Sequence, residues 1–354
     1  MAFIGAGVGS LRTRSDVCEH PRPCRRRGRA KPYVCSSRSL SGAQEQFRQQ
    51  QGDGAATARS RAILNSTHSP AVEPWILMPG KFDALHLGHF QLLQSACRLG
   101  TPVLLTFSGM GKVLGWDPRR RPMLWEAERN DILAEWGRKL GKDIRCETLP
   151  FDDIRSLSPE QFIDQVIVER FHASGVVCGY DWRFGFKAQG SADTLCELAK
   201  PRGLQVDVIE KIRMHELEVS STRVRELLET YGDVREAKAL LGRYYRLRGR
   251  VVAPSDSIHL LNQWSGSQVH VDGSKGLILT DIVNFFPRAG RYETCITFDG
   301  RTAPLWGAAR LCRSALDEQQ DRRNMDLIIL EDAQHLWRED MGCATVELRN
   351  WIEP

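Results

Sequence analysis

The 354-residue chain has no stretch of about 18 apolar residues, so nothing in it reads as a membrane-spanning helix. Its ten cysteines form no C-x-x-C pair, which removes the usual spacing for structural zinc and leaves buried, reduced thiols as the expected state. There is no internal repeat. The folded part also lacks an excess of positive charge, although the whole chain carries +5. Residues 1–70 hold eleven arginines and one lysine against four acidic side chains, an excess of eight, so residues 71–354 carry −3. A global basic surface of the kind that binds nucleic acid is therefore not expected, and no nucleic-acid or membrane partner is read from the sequence.

What is present divides the chain in three. The first 70 residues are rich in Arg, Ser, Gly and Ala and poor in acids, as in an organelle import signal, here more in keeping with a plastid than a mitochondrion. A basic tail is the competing reading of the same composition. From residue 75, apolar runs alternate with helical spacing. "WILM", "PVLLTF", "GVVCG" and "LQVDVIE" read as buried strands, and "HFQLLQSACRLG", "LWEAERNDILAEWG", "PEQFIDQVIVERFHA" (capped by Ser158) and "SADTLCELAK" as helices. That order predicts an α/β domain with a parallel sheet and helices on both faces over 71–245. After Tyr245 come short β-type runs ("YRLRGRVVA", "SQVHVDG", "LILTDIVNFF", "YETCITFDG", "MDLIILED") broken by Gly, Pro and Asp. They predict a smaller, mainly β domain over 246–354 with a helix-like insert around 308–323.

Two stretches carry chemistry. In "GKFDALHLGH" (80–89), a strand ends in Pro-Gly, and His86 and His89 flank Leu-Gly just before a helix. A helix start at the carboxyl end of a strand offers unpaired N–H groups and a positive dipole end, which suits phosphate. Gly88 lets backbone approach a polyphosphate closely. Alone, an H-x-G-H tetrapeptide fits ordinary surface imidazoles equally well. In "VSSTRVRELL" (219–228), Ser221 or Thr222 is the expected cap of another helix, with Arg223 and Arg225 on its first turns. A capped amphipathic helix with solvated arginines is the plainer reading. Taken with H-x-G-H, it reads as the opposite jaw of a polyphosphate clamp.

"GKFDALHLGH" resembles the G-x-F-D-x-x-H-x-G-H of cytidylyltransferase-like nucleotidyltransferases. "GYDWRFGFKAQG" (179–190) and "SSTRVR" (220–225) narrow the resemblance to the FMN adenylyltransferase (FAD synthetase) module, whose usual forms are G-x-D/N-F-x-F-G and S-S-T-x-I-R. With the Arg-rich leader, the chain is most similar to the plastid FAD synthetases of plants and algae. The resemblance covers about residues 75–245. It implies a Rossmann-like fold and a Mg²⁺-dependent enzyme acting on ATP and FMN. It implies that Gly80, Phe82, Asp83, His86 and His89 contact ATP, that Ser221, Thr222 and Arg225 bind its β,γ-phosphates, and that His86, His89 and Arg225 carry catalysis. Asp181, Trp182 and Phe184 would hold the flavin. No metal ligands are nominated. Lys81, Ala84 and Trp182 depart from the common Asn, Gly and Phe, and "FSGMGKVLGWDPRRRP" lacks the F-x-P-H-P of many bacterial members. Class I aminoacyl-tRNA synthetases share an H-x-G-H-like signature but need a K-M-S-K-S-type loop, and none occurs.

In bifunctional relatives the second module is a riboflavin kinase with a P-T-A-N loop. Here Thr280, Asp281 and Asn284 echo it at altered spacing, and Glu347 in "TVELRNW" is the residue most easily mistaken for its base. A degenerate, kinase-inactive barrel is expected. Two other readings stay open: a nucleotidyltransferase for another phosphorylated acceptor, and a catalytically idle flavin-binding or regulatory protein. His172, His215, His259, His270 and His335 are scattered and read as surface or satisfied histidines. The sequence does not set the oligomeric state.

Overall fold

The computed structural model describes residues 73–116, 120–214, 217–253, 256, 276–301, 303–313, 326–338 and 341–353. The leader, "SQVHVDG" and His215, His259 and His270 lie outside the described residues.

In chain order the first domain runs β1 Trp75–Pro79, α1 Leu87–Leu99, β2 Thr101–Ser108, α2 Met110–Val113, α3 Glu126–Leu140, β3 Arg145–Pro150, α4 Phe151–Ile154 and α5 Pro159–Gln161. It continues with β4 Gly175–Gly179, α6 Ala192–Ala199, β5 Gln205–Ile209, the ribbon β6 Arg213–Met214 and β7 Leu217–Glu218, α7 Ser221–Glu226 and α8 Val234–Leu241. Helix α5 widens into a π-helix over Phe162–Arg170, and α7 does so over Leu227–Tyr231. Ser158 caps α5 as expected, its hydroxyl accepting the Gln161 N–H at 3.2 Å.

Strands β1 to β5 form one parallel sheet in the order β3-β2-β1-β4-β5. Successive side chains of β1 go to opposite faces: Leu77 joins one apolar core with Val103, Leu105, Val176 and Cys178, and Ile76 and Met78 join the other with Leu104 and Val177. Helices cover both faces, as the doubly apolar strands require. The strand order reverses between β1 and β4, so the crevice of this sheet opens beyond Pro79 and Gly179. The edge strand β3, "RCETLP", was not expected from the sequence: only Leu149 in it is buried, so its apolar signal is weak.

The second domain is β8 Arg246–Val252, β9 Leu277–Thr280, β10 Gly290–Phe298, β11 Leu305–Cys312, β12 Leu327–Leu330 and β13 Cys343–Glu353. These close an antiparallel barrel in the order β10-β11-β12-β9-β8-β13. The helix-like insert is corrected at its start: Ala308–Cys312 lie in β11, paired with β10 and β12, and 314–325 lie outside the described residues. The barrel interior continues into an apolar layer with Val224, Leu228, Ala237 and Leu241 of α7 and α8. The seven described cysteines are all free thiols; Cys178, Cys295 and Cys312 are buried as expected, whereas Cys196 is exposed.

Candidate active site

The turn after β1 is unusual backbone. Gly80 N–H donates to Leu105 carbonyl oxygen at 3.0 Å. Phe82 and Leu85 then take φ of +45° and +46°, costly for residues with side chains, while the Phe82, Ala84 and Leu85 side chains are fully buried. The buried apolar residues pin the turn and set His86 as the cap of α1, with extended backbone at φ −87°, ψ 176°.

The two imidazoles are a unit. Their rings stack with centroids 3.8 Å apart, and the His86 N–H donates to His89 Nδ1 at 3.3 Å. An accepting Nδ1 puts the His89 proton on Nε2, leaving a donor for an anion. His86 Nδ1 is buried with no hydrogen-bond partner among the described residues. Burial, and then the nearby Arg243 guanidinium, holds His86 down at about 4. Burial first, then His86 and Arg243, holds His89 well below the usual imidazole value. Both are therefore neutral donors and acceptors near pH 7. Gly88 is needed here for room: a Cβ would come within 3.0 Å of the His86 ring.

A cleft of about 210 Å³ opens at the sheet's reversal point. Pro79, Gly80, Phe82, His86, Gly88 and His89 line one side, Gly179, Asp181 and Trp182 the facing side, and Ile209 through Ile212 with Val219 and Ser220 close it. Two helix starts thus meet at one cavity. The cap of α7 is Ser220, however, not Ser221 or Thr222: its hydroxyl accepts the Arg223 N–H at 3.2 Å. Ser221 and Thr222 are the first two helical residues and do not line the cleft.

Three other nominated residues sit differently from expectation. Arg225 does not line the cleft; it donates to Asp83 Oδ2 at 2.8 Å and to the Arg121 carbonyl at 3.0 Å, with its guanidinium 4.6 Å from the Phe285 ring centroid. Asp83 also accepts the Met123 N–H at 3.2 Å, so this pair staples the turn to the segment before α3 and to the barrel. Phe184 is buried beneath Trp182, the two rings stacked at 4.6 Å, so only Trp182 faces the cavity. Asp181 is exposed, with Lys211 Nζ 3.2 Å from its carboxylate.

Sequence reasoning missed Lys211, Ser220 and Arg243. Lys211 also pairs with Glu218 at 2.9 Å, so one ammonium joins the cleft rim to the ribbon. Ser220 was one position from the expected cap. The donors facing the histidine side are imidazole, hydroxyl and backbone amide, which suit an anion; no group of three His, Cys, Asp or Glu among the described residues is placed to hold a metal.

In the second domain the polar residues are spent internally. Asn284 is fully buried; its amide donates to the Met123 and Arg246 carbonyls at 3.2 and 2.7 Å, and its oxygen accepts the Arg248 N–H at 3.2 Å. Asp281 pairs with Arg250 at 2.9 Å. Glu347 is ion-paired with Arg246 at 3.0 Å and with Arg349. Asn284 is thus committed to protein partners, and Glu347 to two arginines.

Residues 69–223 match the model of the FAD synthetase family. The chain is 33% identical over 247 residues to FAD synthetase 1, chloroplastic, of Arabidopsis thaliana, covering 65% of this chain and 66% of that one. It is 35% identical over 240 residues to FAD synthetase 2, chloroplastic, of the same plant, covering 64% and 61%. A bifunctional riboflavin kinase/FMN adenylyltransferase of Listeria monocytogenes is 30% identical over 185 residues, 50% of this chain and 56% of that one. The alignments thus span just under two thirds of the Arabidopsis relatives. Among solved structures, one titled as a macrolide-efflux protein from Streptococcus pneumoniae superposes with a TM-score of 0.58 at 19% identity, over 79% of this chain and 86% of that one. That likeness concerns the two-domain fold alone.

Proposed function

We propose that the protein makes FAD by moving AMP from Mg-ATP to the phosphate of FMN, a reading supported by the match of residues 69–223 to the FAD synthetase family. The observation that carries this reading is the single cleft at the sheet's reversal point, with the imidazole pair and the start of α7 on one side and Asp181 and Trp182 on the other. Triphosphate fits the first set and the flavin ring the second.

The FMN phosphate has a second pKa near 6, so it is already mostly dianionic at neutral pH and needs no strong base. One of its oxygens forms a bond to the α-phosphorus of ATP while the bond from that phosphorus to the bridging oxygen breaks, and pyrophosphate leaves with its electron pair. The protein's task is alignment and charge neutralisation. His89 Nε2–H and His86 donate to phosphate oxygens. Ser220, the cap of α7, lines the same cleft and brings the positive end of that helix toward the triphosphate, with Ser221 and Thr222 behind it. Arg225, held by Asp83, contributes its charge from behind the turn. Gly80 and Phe82 shape the nucleotide side, and Phe184 supports Trp182 from below. No covalent intermediate is involved, and Mg²⁺ arrives on the nucleotide.

The barrel is read as inactive toward riboflavin, since Asn284 and Glu347 are committed to protein partners. A plastid location is proposed from the Arg-rich first 70 residues and the chloroplastic Arabidopsis relatives. The test is incubation of the protein with Mg-ATP and either FMN or riboflavin, followed by chromatography. FAD from FMN alone is expected. FMN appearing from riboflavin would overturn the inactive-barrel reading, and AMP transfer to a different phosphorylated acceptor, or none at all, would overturn the assignment.

A further inference from the structure

We infer that Arg243, outside the cleft and 154 positions past His89, is the positioning residue that fixes the histidine turn for reaction and ties it to the barrel. Its guanidinium donates to the Ala84 carbonyl at 2.7 Å and the Leu85 carbonyl at 2.8 Å, with a further bond to Leu241 at 3.3 Å. The two carbonyls are adjacent and immediately precede His86, so one planar fork grips both at once. An ammonium, with its donors on a single atom, cannot reproduce that grip.

The turn needs such a grip. Phe82 and Leu85 have positive φ, a conformation that persists only where surrounding contacts over-determine it. Arg243 supplies these contacts from a segment that is itself fixed. Gly242 ends α8 at φ +74°, and a Cβ there would lie 2.9 Å from a methyl of Leu87 at the start of α1. Three residues after Gly242, the buried Tyr245 hydroxyl donates to the Phe285 carbonyl at 2.7 Å, and Arg246 pairs with Glu347 in β13. The stretch 242–246 therefore has one end against the histidines and the other in the barrel wall. This gives the barrel a part in the reaction that needs no catalysis of its own: it holds the segment that holds the turn.

This inference rests on the FAD-forming reading, and the test separates the two. Full-length wild type, Arg243→Met, Arg243→Lys and a destabilised control, Ile329→Ala, whose buried side chain belongs to a separate apolar cluster of the barrel, are compared by FAD formation and by hydrogen exchange over residues 80–90. In Arg243→Met, kcat/KM for ATP is expected to fall about 10²-fold, the loss that a misplacement of about 1 Å brings. KM for FMN changes less than threefold, and exchange rises in 80–90 but not in β4 or β5. Arg243→Lys recovers at least threefold of the lost rate, and Ile329→Ala keeps the wild-type rate per folded molecule. A rate within twofold of wild type with unchanged exchange overturns the inference, as does exchange that rises everywhere. If wild type forms no FAD, the functional reading fails, and exchange over 80–90 alone decides the role of Arg243.

Discussion

The His86 imidazole beyond β1 and the Asn284 amide in the barrel are buried polar groups with opposite surroundings. Beyond β1, His86 keeps a ring nitrogen buried and unpartnered beside a cavity, and its neighbour His89 is fixed as a donor. In the barrel, Asn284 satisfies four groups at once, and Glu347 is ion-paired by two arginines. A buried polar group left incomplete beside a cavity can be completed by a ligand, whereas one saturated by the protein, as Asn284 is, serves as architecture. Similar residue types thus signal a site in one domain and a joint in the other.

The largest effect that sharpens this contrast is at His89. Replacing it with Ala should lower kcat for FAD formation by roughly 10²–10³, the loss expected for one transition-state donor, whereas Glu347→Gln should leave the rate within about twofold. Steady-state kinetics on both variants would break the comparison if the order were reversed. Asn284→Ala comes next. It leaves buried carbonyls and an N–H without their partner, so unfolding should become easier by about 1–3 kcal/mol, read by urea denaturation.

Acidity probes the same region more finely. His86 is held at about 4, so the unfolded chain, with an imidazole near 6.5, binds more protons between those values. Its contribution to stability is whole above pH 6.5 and declines by about 1.4 kcal/mol per unit as pH falls toward 4. Glu128 in α3 does the reverse. Burial, offset by Arg243 and Arg246, lifts its carboxyl from 4.5 to about 7, so its contribution is present below pH 4.5 and is lost as pH rises through 7. The two trends offset each other in the wild type. Glu128→Gln should unmask the histidine slope in urea titrations between pH 6.5 and 4.5, and a flat profile would contradict the neutral imidazole pair. The smallest effect is expected at Lys211: its ion pairs are exposed, so Lys211→Met should raise KM for FMN only a few-fold and leave KM for ATP unchanged.

The sheet was legible because its strands are apolar on both faces and its helices carry their own start signals, so local sequence specified β1, β2, β4 and α1. The turn that brings the two imidazoles to the cleft was legible too, since His86, Gly88 and His89 lie within four residues. What escaped was whatever depends on partners far along the chain. The polar edge strand β3 is defined by pairing with β2, and β13 by closing onto β8 and β10. The capture of Arg225 by Asp83, 142 residues away, and the grip of Arg243 on Ala84 leave no trace in spacing. Ser220 was missed by one position because three successive hydroxyl residues offer equivalent caps, and only the backbone at Ser220 decides among them.

The most direct measurement is a crystal structure with a non-hydrolysable ATP analogue, Mg²⁺ and FMN. The account predicts the triphosphate within hydrogen-bond reach of His89 Nε2 and the first amides of α7, with the isoalloxazine against Trp182. A nucleotide seated instead in the barrel beside Asn284 and Glu347, with the cleft between β1 and β4 empty, would contradict it.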